Sequence, residues 1–169
     1  MKKLLSVVLA SILALSLVGC GGSDDKITIA IPNDTTNEAR ALLLLEAQGI
    51  IELDDAAGIT ATIRDITSNP KNLQFKEMEA AMLPQIVGEV DLAIINSNFA
   101  LQGGLNPAED SLASEDAASE AAQTFANIIV VKEGSEENAA VLALIEALQS
   151  DAVREFIETT YNGSVVAMF

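Results

Sequence analysis

Residues 26–49 read KITIAIPNDTTNEARALLLLEAQG, and this stretch decides the fold. Lys26 to Pro32 is an apolar run of strand character, and Asn33-Asp34-Thr35-Thr36-Asn37 is a cluster of the residue types that cap helices. Arg40 to Gln48 then carries four consecutive leucines and stops at Gly49, a residue suited to the position after a helix. Strand, cap, helix and stop succeed one another in a single short segment.

The alternation continues downstream. Ile59 to Ile66 fits a short strand or helix, Asn69-Pro70 marks a turn, and Leu73 to Glu79 alternates as a half-buried strand does. Met82 to Val87 reads as a short helix with Pro84 in its first turn, and Asp91 to Asn96 as a buried apolar strand. Asn98 to Gln102 starts a helix that Gly103-Gly104 ends. Asn106 to Thr124, with five acids and no base, reads as a solvated loop with a frayed helical turn. Ala126 to Val131 returns as a β-branched strand. Val141, Leu144, Ile145 and Leu148 share one helical face, Ser150 can cap a second helix carrying Val153, Phe156 and Ile157, and Asn162-Gly163 turns into a short terminal strand, Ser164 to Phe169. Strands alternating with helices predict an α/β fold with a largely parallel sheet.

Composition removes several functions. The chain has 169 residues with 9 Lys+Arg against 25 Asp+Glu, a formal charge of −16, and no His. Such an anion repels phosphate backbones, so no nucleic-acid partner is expected. Without imidazole there is no Ser-His-Asp or Cys-His arrangement and no His-ligated zinc. Adjacent acid pairs such as Asp54-Asp55 and Glu136-Glu137 point apart on any regular element, and no phosphate loop, GxSxG or EF-hand pattern is present. No catalytic residue, metal or cofactor is therefore expected, and the chain is not read as an enzyme.

The N-terminus reads as an export signal. Lys2 and Lys3 precede the apolar stretch Leu4 to Val18, which is too short for a ~30 Å hydrocarbon core. Val18-Gly19 stands directly before the single cysteine, Cys20, a pattern similar to the bacterial lipobox, in which the signal is cut before a lipidated cysteine. The alternative is a plain signal or anchor with an incidental Cys. Residues 1–19 are thus expected to be a signal peptide and 20–25 a lipidated tether. Removing the first 19 of 169 residues leaves 150, enough for one domain, and takes the formal charge from −16 to −18. A protein this acidic gains nothing from an anionic membrane surface, so the expected attachment to the outer face of a bacterial cell membrane, toward periplasm or exterior, rests on the lipid.

The segments also carry a family resemblance. Ile31 to Leu45 (IPNDTTNEARALLLL) resembles the IPND-x-TN-x-x-RALLLL signature of the NlpA/MetQ family of methionine-binding lipoproteins of ABC importers, and Asn69 to Leu73, Glu77 to Ala80, Val90 to Ala100 and Asn127 to Glu133 match in the same order. The resemblance implies a periplasmic-binding-protein-like (type II) fold, L-methionine or a related amino acid as ligand, and ABC importer membrane subunits as partners. Members are two-lobed, and two lobes need roughly 200–300 residues. The resemblance therefore implies about one lobe plus C-terminal helices, as an internal deletion would leave. The second lobe would span about 26–105, the acidic loop 106–124, and the return strand with the C-terminal helices 125–169.

It also implies three ligand-binding residues. Arg40, early in a helix, suits an α-carboxylate, because a planar guanidinium can take both oxygens and the helix N-terminus adds a favourable field. Read without the family it is a solvated charge on a helix face. Asn96, at a strand's end, can accept from an ammonium or donate to a carboxylate; otherwise it is a cap. Asn127 opens the return strand and, by resemblance, stands at the lobe junction, whereas asparagine at a turn is otherwise ordinary. Phe99 and Phe125 are the aromatics near them, each readable as core. With the opposing wall absent, methionine is expected to bind at millimolar affinity at best. The terminal helices, lacking the sheet they would cover, are expected to be less stable than residues 26–98. A non-transport surface lipoprotein acting as an interaction module is the competing reading.

Overall fold

The computed structural model describes residues 26–169, so the signal peptide, Cys20 and the tether lie outside the described residues. Strand β1 (Thr28–Pro32) is the centre of a three-stranded parallel sheet, flanked by β4 (Gln74–Met78) and β5 (Leu92–Ala93) in the order β4-β1-β5. The register runs from Thr28 opposite Gln74 to Pro32 opposite Met78, and on the other side Ile29 faces Leu92 and Ala30 faces Ala93. A second, antiparallel pair joins β2 (Glu52–Leu53) to β3 (Ile66–Ser68).

Between β1 and β2 lies helix α1 (Thr35–Ala47). It begins five residues before the expected start at Arg40, because Asp34 caps it: its carboxylate accepts from the backbone N–H of Asn37 at 3.1 Å. The end is a Schellman arrangement, with the N–H of Gly49 donating to Glu46 O at 2.8 Å and that of Ile50 to Leu45 O at 3.0 Å. This closure holds Gly49 at φ +65°, where a side chain would be strained. Of the four leucines, Leu42 and Leu45 are buried, three residues apart as a helix face requires, and they cluster with Ile29 and Ile31. Ala30 points to the opposite face of β1 and is equally buried.

That face is covered by a 3₁₀ helix, Ala80–Glu89, whose Leu83 is fully buried and which packs on β1. Pro84 lies inside this element and not in the first turn of an α-helix as expected. A proline removes the N–H of an i→i−4 bond, and the tighter 3₁₀ winding is the local outcome. Helix α2 (Ser97–Gln102) follows β5, and its end at Gly103 presses on Pro84: a Cβ at Gly103 would fall well inside van der Waals contact with the proline ring. The stretch expected to be a strand or helix, Ile59 to Ile66, forms two 3₁₀ turns, Gly58–Thr60 and Ile63–Asp65, before β3.

Several strand expectations are corrected. Only Leu92 and Ala93 of Asp91–Asn96 pair as strand, and the residues after Asp91 are half-buried, because β5 is an edge strand. Ala126–Val131 forms no strand: Ile128 is 79% exposed, and among the described residues no strand lies alongside to pair with it. β-branched composition favours a strand only where a ladder partner exists. Ser164–Phe169 likewise forms no strand. It folds back on its own helix, where Arg154 donates to the Phe169 carbonyl and its guanidinium lies 4.8 Å from the Phe169 ring centroid. The acidic segment contains two short helices, α3 (Pro107–Asp110) and α4 (Glu120–Thr124). Helices α5 (Ala139–Leu148) and α6 (Asp151–Tyr161) form as expected, capped by Asn138 and Ser150, but neither contains a buried residue. The left-handed Asn162 ends α6.

Candidate functional site

β1 is a topological switch point. Its crossover leads to β4 on one side, while β5 lies on the other, so the carboxyl ends of β1 and β5 open a crevice between the starts of α1 and α2. In open parallel sheets ligands bind at such crevices. Two of the three predicted ligand residues flank this one.

Asn96 is the N-cap of α2, yet its side chain makes no capping bond. The backbone carbonyl of Asn96 accepts from Phe99 and Ala100, each at 3.0 Å, and the amide is free to turn across the crevice. Its Nδ2 donates to Asn37 Oδ1 at 2.8 Å. Its Oδ1 is buried and has no hydrogen-bond partner. Asparagine normally caps by accepting from the helix backbone, so the reading of Asn96 as a simple cap does not describe its side chain.

Asn37 is held in turn. Its Nδ2 lies 3.0 Å from each carboxylate oxygen of Asp34. Arg40 stands one turn further along α1, on the same face as Asn37. Its Nε donates to the two carboxylate oxygens of Glu115 at 3.0 and 3.2 Å, and Nη2 donates to Oε2. The Phe125 ring centroid lies 5.6 Å from the guanidinium carbon. The arginine is thus fixed by one edge and one face. At 37% side-chain exposure the ion pair itself contributes at most about 1 kcal/mol. What it does is orient the group, because a guanidinium bound along its Nε–Nη2 edge keeps Nη1 and the second Nη2 proton for another acceptor.

Arg40 is therefore not a solvated charge on a helix face, and Glu115 does not belong to a merely solvated loop: its side chain is 19% exposed. Asn127 is exposed, and among the described residues no hydrogen bond joins it to Arg40 or Asn96. Asn37 is thus bonded to Asn96 and stands one turn from Arg40 on α1, while Asn127 lies two residues beyond Phe125, which packs on Arg40. Asn37, Glu115 and Phe125 were not in the predicted site. Asn37 sits inside a capping cluster that masks any other role, and Glu115 lies 75 residues from Arg40, a separation no local pattern spans.

Glu38, the next residue of α1, ties the helix to the 3₁₀ turn before β3. It is 6% exposed, and its Oε1 accepts from the backbone N–H of Ile63 at 3.1 Å. Burial raises its carboxyl above the ordinary 4.5, opposed by the Ile63 bond and reinforced by Glu77 and Asp65. Asp65 shifts the other way, lowered by its hydrogen bonds from the Thr62 backbone and hydroxyl in a capping box. Among the described residues no group of three or more Cys, Asp or Glu side chains is placed to hold a metal, and no helix is long and apolar enough to cross a membrane.

Known proteins resemble this chain over most of its length. The chain is 45% identical over 139 residues to membrane lipoprotein TpN32 of Treponema pallidum, covering 82% of this chain and 50% of that protein. It is 40% identical over 144 residues to the D-methionine-binding lipoprotein MetQ of Escherichia coli, covering 84% of this chain and 52% of that one. Among solved structures, a nutrient-binding protein from Burkholderia cenocepacia bound to methionine superposes with a TM-score of 0.76 at 42% identity, over 88% of this chain and 62% of its own. The chain spans about half the length of the curated relatives it matches. The fold is accordingly that of a substrate-binding protein, α/β with a parallel sheet, and the family is one of transporter binding proteins, not of enzymes. The model of the NlpA lipoprotein family matches residues 23–169, and the chain belongs to that family.

Proposed function

We propose that this chain is a lipid-anchored substrate-binding lipoprotein of a methionine ABC importer, and that it grips the amino-acid head of the ligand with Arg40 and Asn96, Asn127 closing the site from the segment after Phe125. The observation that carries the reading is the buried, unpaired Oδ1 of Asn96 at the switch point. A buried acceptor without a donor costs about 1–3 kcal/mol, a cost that an incoming ammonium removes. Arg40, pinned by Glu115 and Phe125, keeps its outer N–H groups for the α-carboxylate. The relatives named for methionine support the choice of amino acid.

The reading gives the apolar thioether no comparable enclosure: two clefts among the described residues are lined by Arg154, Glu158 and Val165 and by Glu46, Ile51 and Pro70, away from Arg40, Asn96 and Asn127. Each unburied CH₂ forgoes about 0.8 kcal/mol, so the affinity of this chain alone for methionine is millimolar. A second copy or another chain supplying the facing wall would tighten it.

Calorimetry with D- and L-methionine tests this. The expected result is weak, saturable binding that Arg40→Ala weakens by roughly tenfold to a hundredfold, the equivalent of about 1.5–3 kcal/mol for a charge-assisted pair. Micromolar binding by the monomer would refute the half-enclosed site, and binding indifferent to Arg40→Ala would refute the assignment of the arginine. The exposed apolar residues of α5 and α6, Leu144 and Phe156 among them, favour the second reading, an interaction module held at the membrane. That reading predicts no methionine binding at any concentration.

A further inference from the structure

Three side chains in series cross the crevice, and the first of them has no choice of orientation. A carboxylate offers only acceptors, so the Asn37 group 3.0 Å from both oxygens of Asp34 must be its NH₂. Asn37 therefore turns its carbonyl oxygen toward Asn96, and the Asn96 group 2.8 Å away must in turn be an NH₂. The oxygen of Asn96 is left as the buried atom without a partner. Amide orientation is ordinarily a free variable of asparagine. Here it is dictated by a residue that does not reach the crevice.

We infer that Asp34, acting through Asn37, sets the polarity of the Asn96 amide and thereby makes the site select a ligand that carries a protonated amine over the same carboxylic acid without it. This deepens the proposed function and rests on its assignment of Asn96 to the ligand head. Asp34 is a positioning residue, and its capping of α1 is a separate task of the same carboxylate. The two tasks can be parted chemically. Asparagine caps helices as well as aspartate does, so Asp34→Asn keeps Oδ1, which accepts from both the N–H and the Nδ2 of Asn37, and replaces Oδ2 with an NH₂ that faces the same side chain. Each orientation of Asn37 then meets one matched and one repelling group, so its amide is no longer held one way round, Asn96 follows it, and the crevice faces an oxygen in part of the molecules and an NH₂ in the rest. Adding Asn37→Asp to Asp34→Asn restores the original polarity, because a carboxylate in the middle of the series accepts from both neighbours.

The test uses the full chain in its native form and in the single and double variants, with circular dichroism confirming equal helix content. Nuclear magnetic resonance of the ligand-free proteins reads, through hydrogen-bond couplings, which of Asn37 and Asn96 donates. Titration then compares methionine with 4-(methylsulfanyl)butanoic acid, its des-amino analogue. The expected result is donation from Asn96 alone in the native chain and the double variant, and donation in both directions in Asp34→Asn. The preference for methionine should fall about twofold in the single variant, as a competent fraction near one half requires, and return in the double. An Asn96 amide that keeps its single orientation in Asp34→Asn overturns the inference, as does a preference that stays unchanged when the orientations are mixed. Loss and rescue of the single orientation with no methionine binding by any of the proteins would overturn the proposed function and the selectivity with it, leaving only the amide orientation.

Discussion

At the scale of single residues, the start of α1 concentrates different tasks on a few neighbouring positions. Asp34 caps, Asn37 bonds to Asn96, Glu38 anchors the helix to the backbone of Ile63, and Arg40 pairs with Glu115. Glu38 carries a testable cost. Its carboxyl is raised by burial, so the folded state holds its proton more tightly than the unfolded state does. The contribution of Glu38 to stability is therefore full below the ordinary value of 4.5 and is lost as pH rises through the raised folded value. Glu38→Gln keeps an acceptor for Ile63 and removes the buried charge. Relative to the native chain it should be more stable at about pH 7 and lose that advantage near pH 4, read from thermal midpoints at both; a variant destabilised at pH 7 and not near pH 4 would show that the charge itself is needed. Arg40 and Asn96 enter the proposed site because segments that resemble the family, 31–45 and 90–100, contain them. Asn37 and Asp34 lie in the first of these segments, but capping already accounted for their residue types. The role of Glu115 depends on a contact made only when the acidic segment returns to α1.

At the scale of elements, the legible parts are those whose signals are local. The Asp34 cap, the stop at Gly49, the Asn69 turn, the end of α2 at Gly103 and the caps of α5 and α6 all follow from residues within a few positions of one another. The Asn69 amide, for example, clasps both the N–H and the carbonyl of Leu73 and so aims β4 along β1. Strands are different, because a strand is a relation between two segments. Ala126–Val131 has the composition of a strand and no partner among the described residues, and it remains extended and exposed. The same dependence predicts uneven stability. Residues 28–96 share the buried cluster around β1 and α1, while α5 and α6 contain no buried residue, and Phe156 is 57% exposed. Amide hydrogen exchange should protect β1 and α1 most strongly and leave α5, α6 and residues 126–131 near the fast limit. Uniform protection in a monomer would contradict this, whereas protection of α5 and α6 that grows with concentration would show that a second copy covers them.

At the scale of the whole molecule, a parallel sheet displays the polar head site at one crevice, and the attachment to the membrane is assigned to Cys20, at the other side of a short polar tether. A formal charge of −16 offers no electrostatic attraction to anionic lipid, so the proposed attachment rests on a lipid at Cys20. Cys20→Ser should release the chain from membranes or leave it with its signal uncleaved; a variant that still fractionates as mature, membrane-bound material would remove the lipid from the account. The overall class was readable because strand-helix alternation and the family signature coincide in residues 26–49. What covers the C-terminal helices was not, since among the described residues no segment buries a side chain of α5 or α6. The central claim is that Arg40 and Asn96 together receive the head of an amino acid. The most direct measurement is a methionine titration that follows the Arg40 Nε and Asn96 side-chain amide signals by nuclear magnetic resonance. The account predicts that both shift together and saturate with a midpoint on the order of millimolar, with Glu115 still bound to Arg40. Saturation at other residues while these two stay fixed would contradict it.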